Sequence, residues 1–397
     1  MVEREGTGAR AARARLQRLV VVVTGTGHVP SIMHPVSEHV VLLRLVDDLG
    51  AAIVPLRPES ISCVVVPLHG ANVVRGDVEP SCVTTALFPA EGGVAGSGMV
   101  ELSIDVAPDA TLGMKFELKL TTSIDSLPLT IGPITVSTGA DWGSPPPAPL
   151  WRDWDLPHLP CNSIRRRVRV AEAPGTVEIC ERLWDASFML GLYLADCWAN
   201  GTLREMCNCE STEPLRCIEL GAGSGVAGLS LAIAAGHGAR VLLTDGDARA
   251  VALAKQNVST NDVEATVRTF ALSWGGMTSD LNAHPWCWEK DAQPSAWLAP
   301  HLVIAADVVY EEPCFEALVQ TLEWLCNQHA SAAASHTSPG SGTVALLAYR
   351  KRMHDDTRFW QLLRAAFFVE EVSSDVRAAA RIFKLRHHTR CENVTSR

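Results

Sequence analysis

The chain has 397 residues and a formal net charge of −10 at pH 7, with 47% hydrophobic and 20% charged residues. This length is sufficient for two domains of ordinary size, and the composition is typical of a globular protein with a large core, which excludes a disordered chain. The acidic balance argues against a broad nucleic-acid surface, and the lack of any apolar run of ~20 residues argues against a membrane span.

The twelve cysteines include no C-x-x-C pair, and Cys207 and Cys209 are too close in sequence for a usual zinc site. We interpret the cysteines as reduced, mostly buried thiols, and we expect no metal. This interpretation places the protein in the cytoplasm, with the nucleus as a further location.

The N-terminal residues 1–18 carry five arginines together with Glu3 and Glu5. The apolar run that follows, residues 19–23, is too short for the central part of a secretory signal. We predict a flexible leader for residues 1–18, and a mitochondrial transit peptide is the alternative.

Residues 19–140 show β-branched or alternating apolar and polar segments with glycine and proline at the turns, a pattern that predicts strands. The predicted strands include residues 62–67, 99–106, 114–120 and 131–136. We find no catalytic constellation in this β-rich region, and its function is unassigned. Residues 141–160 then contain six prolines and three tryptophans. The prolines predict a semi-rigid linker before a second domain over residues 161–397, and the tryptophans predict that this linker packs against a domain.

Within that second domain, residues 217–225 read C-I-E-L-G-A-G-S-G and precede an apolar helix predicted over 226–235. A strand, a glycine turn and a helix open a nucleotide-binding βαβ unit, in which glycines allow close backbone approach and the helix N-terminus favours anionic groups. A second apolar run ends at Asp245, where such folds place a carboxylate for the ribose hydroxyls. The turn alone fits either a dinucleotide or S-adenosylmethionine (AdoMet).

Strands and helices alternate throughout residues 161–397, and the strands are almost continuously apolar. This pattern predicts an α/β fold, namely a Rossmann-like, seven-stranded and mostly parallel sheet with helices on both faces, preceded by the β-rich region. Helices are predicted over 186–198, 226–235, 248–257, 313–326 and 359–367, with Asp247 as the N-cap of the third helix. Strands are predicted over 164–170, 217–220, 241–244, 267–272, 302–306, 343–348, 368–372 and 380–385.

Four segments, taken in order, resemble the motifs of a known family. They read L-W-D-A at 183–186, E-L-G-A-G-S-G at 219–225, L-S-W at 272–274 and A-D-V-V-Y at 306–310. The chain from about residue 164 resembles seven-β-strand class I AdoMet methyltransferases. Within that class it is most similar to methyltransferase family 16, a group of non-histone protein-lysine methyltransferases.

The resemblance implies a role for each of ten residues. Gly221, Gly223 and Gly225 would let the backbone approach AdoMet, and Asp245 would accept hydrogen bonds from its ribose. Trp184 would lie against the cofactor end of the cleft and Trp274 beside the adenine. Glu219 and Ala306 complete the expected cofactor-binding set, with a structural role equally open for Glu219.

Asp307 and Tyr310 are the expected catalytic residues, because open α/β sheets place their chemistry at the carboxyl ends of strands. We expect them to orient the substrate amine and to help remove its charge, with alignment supplying most of the acceleration. The resemblance implies a protein substrate, with translation factors and chaperones as the examples in the family. Val308 and Val309 replace the two prolines common in DNA and RNA amino-methyltransferases, which disfavours nucleic acid as the substrate.

Three alternatives to a protein-lysine methyltransferase stay open from the sequence. The first is a methyltransferase fold that acts only as a scaffold, and the second is a methyltransferase for another protein residue or for nucleic acid. A nicotinamide-dependent oxidoreductase is the third, disfavoured because no hydride-transfer motif follows the βαβ unit.

Overall fold

The computed structural model describes residues 17–21, 32–33, 38–46, 59–68, 82–88, 99–105, 113, 115–122, 126–127, 129–136, 149–156, 167–172, 182–210, 212–275, 300–332, 342–353, 355–375 and 380–388. The predicted leader therefore lies outside the described residues except for its last two positions, which belong to the first strand. No described helix is long and apolar enough to cross a membrane.

The N-terminal region is built from strands alone among its described residues. The strands are β1 (Gln17–Val21), β2 (Ile32–Met33), β3 (Glu38–Val46), β4 (Glu59–Leu68), β5 (Cys82–Phe88), β6 (Met99–Asp105), β7 (Lys115–Thr122), β8 (Ser126–Leu127), β9 (Leu129–Val136), β10 (Leu150–Asp155) and β11 (Arg167–Glu172). One sheet has the order β6-β3-β1-β8, and the other has the order β11-β10-β9-β7-β4-β5 with β2 beside β9. The β-rich prediction is confirmed.

The segment predicted as a linker contains strand β10, which pairs with β9 on one side and β11 on the other. Trp151 and Trp154 are buried in this strand, and this burial stabilises a paired strand over a free spacer. The prediction of a linker is therefore wrong for 150–155. Strand β11, predicted to open the second domain, belongs to the N-terminal sheet, so the position of the domain boundary stays a prediction.

Arg169 of strand β11 pairs with two carboxylates of the N-terminal sheet. The Arg169 guanidinium donates to both carboxylate oxygens of Glu117, at 2.8 and 2.9 Å, and to Asp153 at 2.7 Å. Asp153 in turn accepts from Thr130. Burial opposes the charge on Asp153, yet these donors hold the pKa of its carboxyl below the usual value.

The C-terminal region forms the predicted seven-stranded sheet. Its strands are β12 (Leu215–Leu220), β13 (Ala239–Asp245), β14 (Val267–Ala271), β15 (Leu302–Ala306), β16 (Val344–Tyr349), β17 (Phe367–Asp375) and β18 (Ala380–His387), in the order β14-β13-β12-β15-β16-β18-β17. Strands β14, β13, β12, β15 and β16 run parallel, and β18 is antiparallel to both neighbours. The mostly parallel Rossmann-like sheet is confirmed.

Helices cover both faces of this sheet. They are α1 (Asp185–Ala199), α2 (Thr202–Met206), α3 (Val226–Ala235), α4 (Ala248–Thr260), α5 (Phe315–Ala332) and α6 (Thr357–Ala366). Residues of α1, α3 and α4 share one buried cluster, and residues of α5 and α6 share the other. In β12, Cys217 faces the first cluster and Ile218 the second, as the alternation of a strand requires.

Asn257 of helix α4 and Asn261, which caps the C-terminus of that helix, attach the N-terminal sheet to this C-terminal sheet. The Asn261 side chain accepts from the Arg169 backbone N–H at 2.9 Å and donates to the Arg169 carbonyl. Asn257, which is fully buried, accepts from the Ala171 backbone N–H at 2.8 Å. These bonds satisfy backbone groups along strand β11 that would otherwise be unpaired in the interface.

Candidate active site

A cavity of about 600 Å³ lies at the carboxyl ends of the central parallel strands. Its volume is within the range of roughly 300–1,000 Å³ that small-molecule sites occupy. Eight of the ten sequence-predicted site residues line it: Trp184, Gly221, Gly223, Asp245, Trp274, Ala306, Asp307 and Tyr310. Glu219 and Gly225 are not part of the lining.

The glycine turn forms one wall of this cavity. Gly221 has a φ of +62°, and a Cβ there would lie 2.8 Å from Val308 Cγ1 and 3.0 Å from Trp274 Cζ2. Both the backbone conformation and the space therefore require glycine. Because Gly221 itself has no side chain, its backbone borders the cavity directly.

Asp245 is fixed against this turn by two backbone donors. Its Oδ2 accepts from the Gly223 N–H at 2.9 Å, and its Oδ1 accepts from the Asp247 N–H at 2.9 Å. Asp247 caps helix α4 as predicted by accepting from the Arg249 N–H. Each Asp245 oxygen has a further lone pair, so the carboxylate can accept two ribose hydroxyls while it stays in place.

Glu219 and Gly225, the two predicted site residues outside the cavity lining, stabilise the glycine turn from the protein interior. Glu219 Oε2 accepts from the Gly228 N–H at 2.9 Å inside the protein, and burial raises the pKa of this carboxyl to about 8. A Cβ on Gly225, which precedes α3, would lie 2.7 Å from Leu243. Glu219 thus connects α3 to strand β12, and Gly225 allows close packing against strand β13. A direct cofactor role for them stays a prediction.

Asp307 lies at the opposite wall, directly after strand β15, with a φ of +59°. Non-glycine residues rarely adopt this conformation, and such strain concentrates at functional sites. Two contacts hold it here. The Asp307 N–H donates to the Ala348 carbonyl at 2.9 Å, and its carboxylate accepts two hydrogen bonds from the Arg352 guanidinium, one of them from Nε at 2.8 Å.

Arg352 and Arg350 are site residues that the sequence reading missed. The Arg352 guanidinium lies 4.8 Å from the Trp184 ring, a cation–π distance, and Arg350 donates to the buried Asp185 carboxylate at 2.6 Å. The W-D-A segment therefore holds the chain that follows β16, and that chain holds Asp307. The sequence does contain an indication of both arginines, because they follow the carboxyl end of a parallel strand, where open α/β sheets place their sites.

Tyr310 and Trp274 flank the mouth of the cavity. Tyr310 is 38% exposed, so its hydroxyl is accessible to a large substrate. Trp274 is half-buried, and the Gly275 N–H after it donates to Thr321 Oγ1 of α5 at 3.0 Å. This bond holds the Trp274 segment against the helix beside the cavity.

The glycine turn is also connected to the N-terminal sheet. The Asn257 amide that accepts from Ala171 donates through Nδ2 to the Ser224 carbonyl at 2.9 Å. One buried side chain therefore bonds both strand β11 and the turn that lines the cavity.

One group of potential metal ligands occurs in the described part of the chain, at the opposite edge of the sheet. The Cys209, Glu213 and His301 ligand atoms lie within 4.8 Å of one another. Arg204 donates to the Cys209 sulfur, and Arg216 bonds both Glu213 and His301. Two guanidinium charges beside the group oppose a cation, and the expectation of no metal stays a prediction.

Comparison with known proteins decides between the two ligands that fit the glycine turn. The model of the lysine methyltransferase family matches residues 164–366, about half of the chain. The chain belongs to this family. Lysine methyltransferases of this class use AdoMet, so the protein is an AdoMet-dependent protein-lysine methyltransferase with a protein substrate, and the oxidoreductase alternative is wrong.

Individual relatives agree with the family assignment. Protein N-lysine methyltransferase METTL21A of Danio rerio is 30% identical over 221 residues, which cover 55% of this chain and 82% of that protein. EEF1A lysine methyltransferase 3 of Mus musculus is 30% identical over 216 residues, covering 53% and 73%. Protein-lysine N-methyltransferase EFM6 of Saccharomyces cerevisiae is 27% identical over 212 residues, covering 52% and 78%.

Proposed function

We propose that this methyltransferase binds AdoMet in the cavity between the glycine turn and Asp307, and that it methylates a lysine of a translation factor. The observation that carries the proposal is the convergence of Gly221, Asp245, Asp307 and Tyr310 on one cavity. The open backbone at Gly221 and the fixed carboxylate of Asp245 fit the anionic and ribose parts of the cofactor.

Bound AdoMet supplies an electrophilic methyl group on sulfur, which a neutral lysine nitrogen takes with its lone pair while the S–C bond electrons stay with sulfur. The residues of this chain must therefore present that nitrogen in line with the methyl group. Asp307 is suited to this because Arg352 fixes both carboxylate oxygens, and each retains a lone pair for the amine N–H.

The ion pair with Arg352 also limits what Asp307 can do. A carboxylate whose charge is balanced by a guanidinium is a weaker proton acceptor, since protonation would leave the arginine unpaired. We infer that Asp307 orients the amine and that the proton leaves to water. Tyr310, exposed at the mouth, offers a hydroxyl to the same nitrogen.

The substrate assignment rests on a relative whose name states its action on EEF1A. A translation factor would place the protein in the cytoplasm, in agreement with the expectation from its cysteines. A chaperone is the second candidate, proposed from the family resemblance alone.

The proposal is tested with labelled AdoMet, purified protein and an extract of cells that lack the gene. Wild-type protein is expected to label a protease-sensitive band, and Asp307→Ala is expected to lose the label while it keeps AdoMet affinity within about threefold. Mapping of the labelled band identifies the lysine. Full labelling by Asp307→Ala would remove Asp307 from the mechanism, and a nuclease-sensitive label would move the substrate to nucleic acid.

A further inference from the structure

A second cavity, of about 380 Å³, lies at the same edge of the sheet, two strands along from Asp307. We name it the Trp360 cavity. Its aromatic lining residues are Tyr349, Trp360 and Phe383, and its charged ones are Lys351, Asp356, Arg364 and Arg381. The established activity and the site described above assign no role to it.

The position of the Trp360 cavity relates it to the active site. Tyr349 ends strand β16, and Arg381 lies opposite it in register on the antiparallel strand β18. Lys351 lines the Trp360 cavity, whereas the next residue, Arg352, bonds Asp307 in the first cavity. One short turn thus separates the two cavities, so a protein whose lysine enters at Asp307 can reach both.

The floor of the Trp360 cavity is aromatic and rigid. Trp360 packs edge-to-face against Tyr349 and Phe383, with ring centroids 5.0 and 4.9 Å apart. Asp356 accepts from the Tyr349 hydroxyl and from Trp360 Nε1, which fixes two of the rings. Of the three rings, Trp360 is the half-buried one, and it offers apolar contact at little cost in conformational entropy.

The rim of the cavity is basic. Lys351 and Arg364 are exposed, and among the residues that the structure describes neither forms an ion pair. Arg364 lies 5.5 Å from the Trp360 ring, and Arg381, also at the rim, pairs with Glu371. Residues 350–386 contain nine Lys or Arg and five Asp or Glu, in a chain whose net charge is −10.

Aromatic rings beside a carboxylate also occur in sites that bind methylated lysine, but the charges here argue against that ligand. Three cationic side chains line the same cavity and would repel a fourth cation. Tyr349 and Phe383 are moreover buried against each other and do not present open faces. The cavity is therefore matched to an anion attached to an apolar group.

We propose that the Trp360 cavity docks an acidic segment of the protein substrate, one that carries carboxylates around an aromatic or large apolar side chain. This inference rests on the proposed function. The carboxylates lie against Lys351 and Arg364, and the apolar side chain lies against the half-buried ring of Trp360. Docking at this distance from the reacting lysine raises the effective concentration of that lysine at Asp307.

The first test is direct binding, which needs no turnover. The probes are a fluorescent glutamate-rich peptide with one phenylalanine, the same peptide with lysines in place of the glutamates, and a single-stranded oligonucleotide, all measured by anisotropy at low salt. The acidic peptide is expected to bind, and Arg364→Glu is expected to weaken it roughly threefold to tenfold, as does Lys351→Glu. Tighter binding of the lysine peptide or of the oligonucleotide would overturn the proposal.

The second test is methylation of the protein substrate in extract. Arg364→Glu is expected to raise the KM for the protein substrate roughly threefold to tenfold, with kcat and AdoMet affinity unchanged. Lys255→Glu, which makes the same charge change on the exposed side of α4, is the matched control and is expected to behave as wild type. Equal KM values for wild type, Arg364→Glu and Lys255→Glu, with wild-type methylation intact, would overturn the docking inference and leave the proposed function standing. Loss of methylation in wild type would instead overturn the proposed function, and peptide binding would still report on the cavity.

Discussion

The two walls of the active-site cavity are built by different physical means. The glycine wall is formed by backbone groups of one continuous segment, and Asp245 is attached to it by N–H donors. The Asp307 wall is formed by side chains, in which Trp184 contacts Arg352 and Arg352 bonds Asp307. A wall of backbone amides has few alternative conformations, so it sets the position of the cofactor. A wall of linked charged side chains can align a substrate amine, but the loss of any one side chain disturbs the others.

This difference teaches that substitutions in the two walls should separate cofactor affinity from turnover. The glycine wall determines where the cofactor lies, and the Asp307 wall determines where the amine lies.

Arg352→Ala is expected to have the largest effect. The side chains of Arg352 and Asp307 are both buried, so the variant leaves a buried carboxylate without its partner and without its orientation. We expect methyl transfer to fall roughly 100-fold and the AdoMet dissociation constant to change less than about threefold. Single-turnover assays and calorimetry measure the two quantities.

Arg352→Lys is the matched variant for this prediction. It keeps the charge but cannot make the two parallel bonds of a guanidinium, so an intermediate loss of turnover is expected. Wild-type turnover in the lysine variant would show that charge alone is sufficient and that the geometry of Asp307 is not controlled by Arg352.

Gly221→Ala is expected to act on the other wall. The added Cβ meets Val308 and Trp274, which must move into or away from the cavity. The AdoMet dissociation constant is expected to rise roughly tenfold or more. Gly201→Ala is the control, since Gly201 has a φ of +84° but nothing within 4 Å of the added atom. A similar loss of affinity in both variants would attribute the effect to backbone strain alone.

Asn257→Ala tests whether the glycine wall depends on the N-terminal sheet. The variant removes the bonds to both Ala171 and Ser224, whereas Asn261→Ala removes bonds to Arg169 of strand β11 and to the Asn257 carbonyl. The loss of one buried hydrogen bond costs about 1 kcal/mol. The AdoMet dissociation constant is therefore expected to rise roughly fivefold in Asn257→Ala and to stay unchanged in Asn261→Ala. Equal affinities, with thermal stabilities compared in parallel, would show that the turn does not need this support.

The smallest effect concerns the pH dependence of stability. The pKa of the Glu219 carboxyl is raised by burial to about 8, against 4.5 when unburied, so the folded state binds more protons than the unfolded state between these values. The free energy of unfolding is therefore lowered as the pH rises from about 4.5 to about 8, and this contribution becomes constant above that range. Glu219→Gln removes the contribution. Urea unfolding at pH 6 and pH 8.5 measures this contribution. The free energy of unfolding is expected to fall less between these pH values in Glu219→Gln than in wild type, and an equal fall in both proteins would contradict the prediction.

The sequence by itself determined the Rossmann-like sheet, the glycine turn and the positions of Asp245 and Asp307. Hydrophobic alternation sets the elements, and the local backbone requirements of a tight turn are written in adjacent residues. The predicted bounds of strand β15, Leu302–Ala306, agree with the structure at both ends. Helix α5 begins two residues later than predicted because a 3₁₀ turn at Glu312–Cys314 precedes it.

Only the tertiary structure decided which distant side chains complete the site. Arg352 bonds Asp307 across 45 positions, and Arg350 bonds Asp185 across 165, separations at which no periodic pattern indicates a partner. The same holds for strand β10, because its proline-rich surroundings suggested a linker, whereas pairing with β9 and β11 made a buried strand. Local sequence encodes backbone conformation, but ion pairs and strand pairing form between segments that meet only in the folded chain.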